Sequence, residues 1–191
     1  RILEPGDRLT AARLAMLAAQ GLASYEITDA PRVAVVTTGD ELARAGDAAG
    51  ALPAYGADPQ QTSVSGLSSG AFMAVQLQVA YSRSIVGAGV IAGGPYYCAA
   101  NNVAFAAICM GQVPFFPPNP VLTANAAKRF DRSREIDPLS NLARRRVYVF
   151  SGTDDSIVRQ RAVDATVSFF RLVGVEGDKL QYVNEVPAGH A

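Results

Sequence analysis

Hydrophobic and polar positions along this chain follow two alternating periods. Short apolar runs between turn residues read as buried strands, and recurrences every three to four residues read as helices. Residues 10–20 predict an amphipathic helix stopped by Gly21, and residues 33–37 a strand. Residues 62–65 read as a strand entering a glycine-rich turn. The run 71–81 (AFMAVQLQVAY) is apolar nearly all round, as a buried helix would be. Residues 87–92 form a small-residue apolar strand. From 112 to 120 the prolines Pro114, Pro117, Pro118 and Pro120 argue against any regular element. Residues 147–151 read as a strand and 159–173 as a helix with Val163, Val167, Phe170 and Val173 inward, stopped by Gly174. Residues 180–184 predict a last strand. Strands alternating with helices imply an α/β fold with a parallel sheet.

The turn after the 62–65 strand carries chemistry. Gly66-Leu67-Ser68-Ser69-Gly70 fits the G-x-S-x-G nucleophile elbow, a strand-to-helix turn that holds a serine hydroxyl exposed above a sheet. So tight a turn puts the serine in a sparsely populated conformation costing of order 1–3 kcal/mol. Gly66 and Gly70 are expected to flank it because side chains there would clash with the turn or its helix.

A nucleophilic serine needs a base, and the base an orienting carboxylate. The chain has one histidine, His190, so an imidazole base must be that residue. Alone, a histidine near a terminus reads as an exposed surface residue. The acid candidates are Asp154 and Asp155, in a polar turn after the run Val147-Tyr148-Val149-Phe150. An α/β-hydrolase carries its acid in such a turn, and Ser…Asp…His is that fold's chain order.

From about residue 51 to 191 the sequence resembles the polyhydroxybutyrate depolymerases, secreted or periplasmic esterases. The resemblance rests on the blocks Gly66-Leu67-Ser68-Ser69-Gly70-Ala71-Phe72-Met73-Ala74 and Ala92-Gly93-Gly94-Pro95-Tyr96-Tyr97-Cys98-Ala99. Leu52-Pro53-Ala54-Tyr55, Ile136-Asp137-Pro138, Ser151-Gly152-Thr153-Asp154-Asp155 and Gly189-His190 extend it. It implies Ser68 as nucleophile and His190 as base. Asp155 is implied as the acid, with Val158 completing an Asp-x-x-Val pattern, and the Ser69 amide as an oxyanion donor. The implied substrate is a polyester or hydroxyalkanoate oligomer. The family's sheet is a circularly permuted α/β-hydrolase in which further strands and a His-Gly-Cys-like oxyanion segment follow the base. This sequence ends at Ala191. The expectation is therefore an α/β-hydrolase-like parallel sheet of the permuted type with its C-terminal half missing, and a short α/β appendage before it. Losing one oxyanion donor typically costs ~10²–10³ in turnover.

Residues 1–50 resemble instead a fragment of the molybdopterin molybdenumtransferases, through Ala30-Pro31-Arg32-Val33-Ala34-Val35-Val36-Thr37-Thr38-Gly39-Asp40-Glu41-Leu42. That family's later motifs and its transferase centre do not follow. The chain then reads as a chimera joined near residues 46–51. Leu14, Leu17, Val33 and Val35 need cover, and a truncated sheet edge is the expected docking place. Three functional readings follow: a serine esterase, a molybdenum-cofactor biosynthesis fragment, or an inactive chimera. The first resemblance implies a secreted or periplasmic location and the second a cytoplasmic one, with no signal peptide visible.

Composition narrows the rest. Apolar residues make up 49% of 191, ample for a core, so disorder is not expected. Seventeen basic residues balance seventeen acidic ones, which implies no nucleic-acid partner. Arg144-Arg145-Arg146 reads as a solvated turn before a strand. No run reaches membrane-spanning length. No cofactor-binding or metal-binding residues are expected, since the two cysteines, Cys98 and Cys109, lack ligand partners of the usual spacing. Resemblance to an exported family favours a disulfide between them, worth ~3 kcal/mol in the chain-entropy model, over two buried thiols. Phe115 and Phe116, within the proline-rich stretch, fit either contact with a hydrophobic polyester or a plug in the core.

Overall fold

The computed structural model describes residues 58–190. The helix expected at 10–20, the strand at 33–37, the junction near 46–51 and the docking of the first fifty residues lie outside the described residues. Four strands, β1 (Thr62–Leu67), β2 (Ile85–Ile91), β3 (Arg146–Phe150) and β4 (Leu180–Val183), pair in parallel in the order β1-β2-β3-β4. Between β1 and β2 runs α1 (Ser69–Ala80), and between β3 and β4 runs α4 (Gln160–Leu172). The longer β2–β3 connection holds the four-residue α2 (Ala106–Cys109) and α3 (Pro120–Arg132).

Register assigns the two faces of the sheet. Val64, Ala88, Val147 and Leu180 stand abreast, as do Gly66, Val90, Val149 and Tyr182 two residues on. These rows belong to the helix-covered face, where Val90, Val149 and Val147 bury with Val75 and Val79 of α1 and Val163 and Val167 of α4. The opposite face carries Ser65, Gly89, Tyr148 and Gln181. The alternation of side chains along a strand makes this division. Read from sequence as buried on all sides, α1 in fact leaves Met73 46% exposed. It buries Ala71, Ala74, Val75, Gln78 and Val79.

The sequence pattern gave no helix at α3. Pro120, one of the prolines that argue against a regular element at 112–120, occupies the first turn of α3, where a missing N–H costs nothing. Asn119 caps that turn, its side-chain oxygen accepting from the amides of Val121 at 2.9 Å and Leu122 at 3.2 Å. The buried face of α3 is small (Thr123, Ala124, Ala127), so it leaves a weak hydrophobic stripe. Phe115 and Phe116, just before it, are 94% and 66% exposed and do not plug the core.

The basic run is more than a solvated turn. Arg145 donates through Nε to the Ser82 carbonyl and through a terminal nitrogen to that of Arg83, both at 2.8 Å. It thereby clasps the turn between α1 and β2, while Arg146 stays exposed. Cys98 and Cys109 are joined by a disulfide with Cα atoms 5.7 Å apart.

An aromatic group closes the core beneath α3 and α4. The Phe169 ring stacks on Tyr96 at 6.0 Å, and Phe130 meets Tyr96 edge-on at 6.4 Å. Phe169 is fully buried. Phe169→Ala is therefore expected to cost about 3–5 kcal/mol. A shift in the urea unfolding midpoint would measure it, and a loss under 1 kcal/mol would show that the cluster is not part of the core.

Candidate active site

The site begins where β1 ends. Ser68 adopts φ 55° and ψ −121°, a backbone state that non-glycine residues avoid. Two main-chain bonds hold it there. Its N–H donates to the Ile91 carbonyl at the end of β2, and its carbonyl accepts from Phe72 in α1, both at 3.0 Å. The first bond continues the β1–β2 ladder one step past the strand.

The flanking glycines differ from expectation. A Cβ on Gly66 would lie 2.2 Å from the Gly70 carbonyl carbon and 2.3 Å from its oxygen, so the close packing there excludes any side chain. A Cβ on Gly70 would meet nothing within 4 Å among the described residues. The expected clash thus exists on one side of the elbow only: Gly66 faces the main chain of the helix, and Gly70 faces open space.

The acid turn follows β3. The Asp155 side chain is 1% exposed. One carboxylate oxygen, Oδ1, accepts from the amides of Ile157 and Val158, both at 2.9 Å. The other, Oδ2, lies 2.8 Å from His190 Nδ1. Asp154, the second candidate, turns outward, its Oδ1 accepting from the Thr153 hydroxyl at 3.3 Å. On the far side of the imidazole, His190 Nε2 lies 2.9 Å from Ser68 Oγ. An ionised carboxylate only accepts hydrogen bonds, so Nδ1 carries the proton and Nε2 accepts from the serine hydroxyl. Ser68, His190 and Asp155 thus form one continuous hydrogen-bonded chain with His190 20% exposed at its middle. The histidine is drawn inward rather than left on the surface.

Ser69 is the first residue of α1. Its amide has no acceptor within the helix and belongs to the helix's positive end. The Gly93-Gly94 turn after β2 backs this corner. A Cβ on Gly94 would strike the Phe72 ring at 2.2 Å, and the Gly93 carbonyl accepts from the buried Thr166 hydroxyl of α4 at 3.0 Å. The segment after the disulfide braces the acid turn. The Arg159 amide donates to the Met110 carbonyl and the Gln112 side chain to the Ile157 carbonyl, both at 2.9 Å. These braces escaped the sequence reading, because single glutamine and glycine positions carry no periodic signal.

A strained serine after one parallel strand, an acid after the second-next and a histidine after the last make this a partial α/β-hydrolase fold. Comparison with known proteins agrees with that class. No family model matches the chain. A poly(3-hydroxybutyrate) depolymerase of Delftia acidovorans is 42% identical over 142 residues, 73% of this chain and 28% of that protein. A polyhydroxybutyrate depolymerase of Talaromyces funiculosus is 42% identical over 112 residues, 58% of this chain and 31% of that one. The crystal structure of a PHB depolymerase from Penicillium funiculosum superposes with a TM-score of 0.59 at 33% identity, covering 70% of this chain and 40% of that one. A variant PHB depolymerase complexed with an R3HB trimer matches equally. Over this stretch the chain is related to the polyhydroxybutyrate depolymerases in both sequence and fold. It spans about a third of the length of the curated relatives it matches.

The two elbow glycines make a test. Gly66→Ala is expected to cost at least about 1–3 kcal/mol through overpacking against main chain. Gly70→Ala, inside α1 with free space, should leave stability unchanged or raise it by up to about 1 kcal/mol. Urea unfolding of both variants measures the difference, and equal midpoints would count against the asymmetry.

Proposed function

We propose that this chain carries the catalytic segment of a serine esterase that hydrolyses poly(3-hydroxybutyrate) or related hydroxyalkanoate esters. The observation that carries the reading is the hydrogen-bonded chain from Ser68 through His190 to Asp155. The kinship with depolymerases, one of them complexed with an R3HB trimer, supports the substrate class.

The chemistry follows from the geometry. Ser68 Oγ attacks the ester carbonyl while His190 Nε2 takes its proton. Asp155 fixes the imidazole tautomer and stabilises the imidazolium that forms. With two backbone amides on its other oxygen, this carboxylate is held in one orientation. The Ser69 amide donates to the oxyanion. The tetrahedral intermediate collapses, the ester C–O bond breaks, and His190 returns the proton to the departing alcohol. Water, deprotonated by the same imidazole, then attacks the acyl-serine, releasing the hydroxy acid and restoring the serine.

Two further features support the reading. The exposed rings of Phe115 and Phe116, with Val121 and Leu122 beside them in sequence and also exposed, offer apolar contacts to a water-insoluble polyester. The Cys98–Cys109 bridge suits an oxidising compartment, so we place the esterase outside the cytoplasm. Among the described residues no helix is long and apolar enough to cross a membrane. The molybdenumtransferase resemblance lies in residues outside those described.

A fluorophosphonate probe is expected to label Ser68, and Ser68→Ala to abolish labelling; a label on Ser69, or one that survives the substitution, overturns the assignment. Asp155→Asn should slow labelling by up to about 10⁴-fold through the wrong tautomer. Asp154→Asn should leave the rate within a few-fold. If Asp154→Asn proves the more damaging, the acid has been misassigned.

Replacing Phe115 and Phe116 together by Ser is expected to weaken adsorption to a polyhydroxybutyrate film while leaving probe labelling of Ser68 unchanged. Film depletion assays measure the first and labelling kinetics the second. Undiminished adsorption would remove the loop from the polymer-facing surface.

A further inference from the structure

We infer that Gly152 is a positioning residue for His190, setting the separation of base and acid, an inference that rests on the esterase reading above. Beyond the ends of β3 and β4 the two exit segments remain stitched together. The Ser151 amide donates to the Val183 carbonyl and the Thr153 amide to that of Val186, both at 2.9 Å. The Asp154 amide donates to the Ala188 carbonyl at 3.2 Å. Gly152 sits in the middle of this seam and is buried. A Cβ there would lie 2.0 Å from the Ala188 carbonyl oxygen, 2.8 Å from its carbon and 3.1 Å from its Cβ.

The obstacle is mainly main chain, so no rotamer change relieves it. The glycine is not required by its backbone conformation, since its φ lies outside the left-handed region. It is required by the approach of the partner segment. Ala188 stands two residues before His190, and Gly152 three before Asp155. Base and acid therefore both depart from this one contact. Prying it apart must move the imidazole relative to a carboxylate that its amide bonds hold fixed. The Nδ1–Oδ2 distance of 2.8 Å has no slack to absorb such a shift. A displacement near 1 Å typically costs ~10²-fold in rate.

The chain's single histidine gives a readout that needs no turnover. An imidazole N–H bonded to a buried carboxylate gives a low-field proton resonance, and only one residue can supply it. Gly152→Ala in the full chain is expected to keep a cooperative unfolding transition, to lose this resonance, and to label with fluorophosphonate ~10²-fold more slowly. Adding Ala188→Gly removes only the 3.1 Å contact and leaves the Ala188 carbonyl in place, so it is expected to restore neither the resonance nor the labelling rate. A parent-like resonance and rate in Gly152→Ala would overturn the proposal. So would loss of cooperative unfolding in both variants, which would make Gly152 a folding glycine. A parent chain that shows the resonance but resists the probe would refute the esterase reading instead, leaving the positioning role to be judged by the resonance.

Discussion

Parallel pairing sends every strand out of a sheet in the same direction, so the loops that follow the strands gather along one edge. In this chain the pairing also continues one step beyond β1, β2 and β3. Ser68 donates to the last carbonyl of β2, Ala92 to the last of β3 and Ser151 to the last of β4, at 2.9–3.0 Å. The residue that begins each loop is thus still governed by the sheet's spacing. Ser68 and the turns leading to Asp155 and His190 inherit their relative placement from that ladder. Strain at Ser68, of order 1–3 kcal/mol, persists because bonds on both sides over-determine it.

Helices fix the ladder from one face. The buried valines of β2 and β3 lie against α1 and α4, and α4 in turn holds the Gly93 carbonyl through Thr166. The disulfide adds a local tie. Cys109 precedes Met110, whose carbonyl receives the Arg159 amide at the foot of the acid turn. The Cys109 carbonyl also crowds Gly94 beside the Phe72 ring of α1. One short covalent loop therefore abuts both the serine's helix and the acid's turn.

Much of this was legible in the sequence because it is carried by period and by punctuation. The runs at β2, β3, β4 and α4 are continuous enough for their periods to show, and Gly174, at φ +95°, stops the last helix as its position suggested. The elbow could be read from five residues, since few other sequences meet its steric demands. Three features were not legible. At α3 the first proline of a helix looks like the last proline of a loop, and a face of Thr123, Ala124 and Ala127 shows little hydrophobic contrast. Gly70 looked like the counterpart of Gly66, but only backbone geometry distinguishes a glycine that is hemmed in from one that is not. The role of Arg145 was hidden because three consecutive arginines give no hint of which one meets carbonyls.

The order of strands in space is the order in which they are made. Ser68 precedes His190 by 122 residues. At roughly 5–20 residues per second on a ribosome, on the order of 6–24 seconds separate the two. The strained turn and its helix can form against β2 early in that interval, while the hydroxyl still lacks the imidazole it meets at the end. The Ser68 turn is therefore made before Asp155 and His190, the other members of its hydrogen-bonded chain, and its contact with His190 forms only when the segment after β4 docks beside β3. A nascent chain halted in between would hold the strained turn while the imidazole that meets it is still unmade.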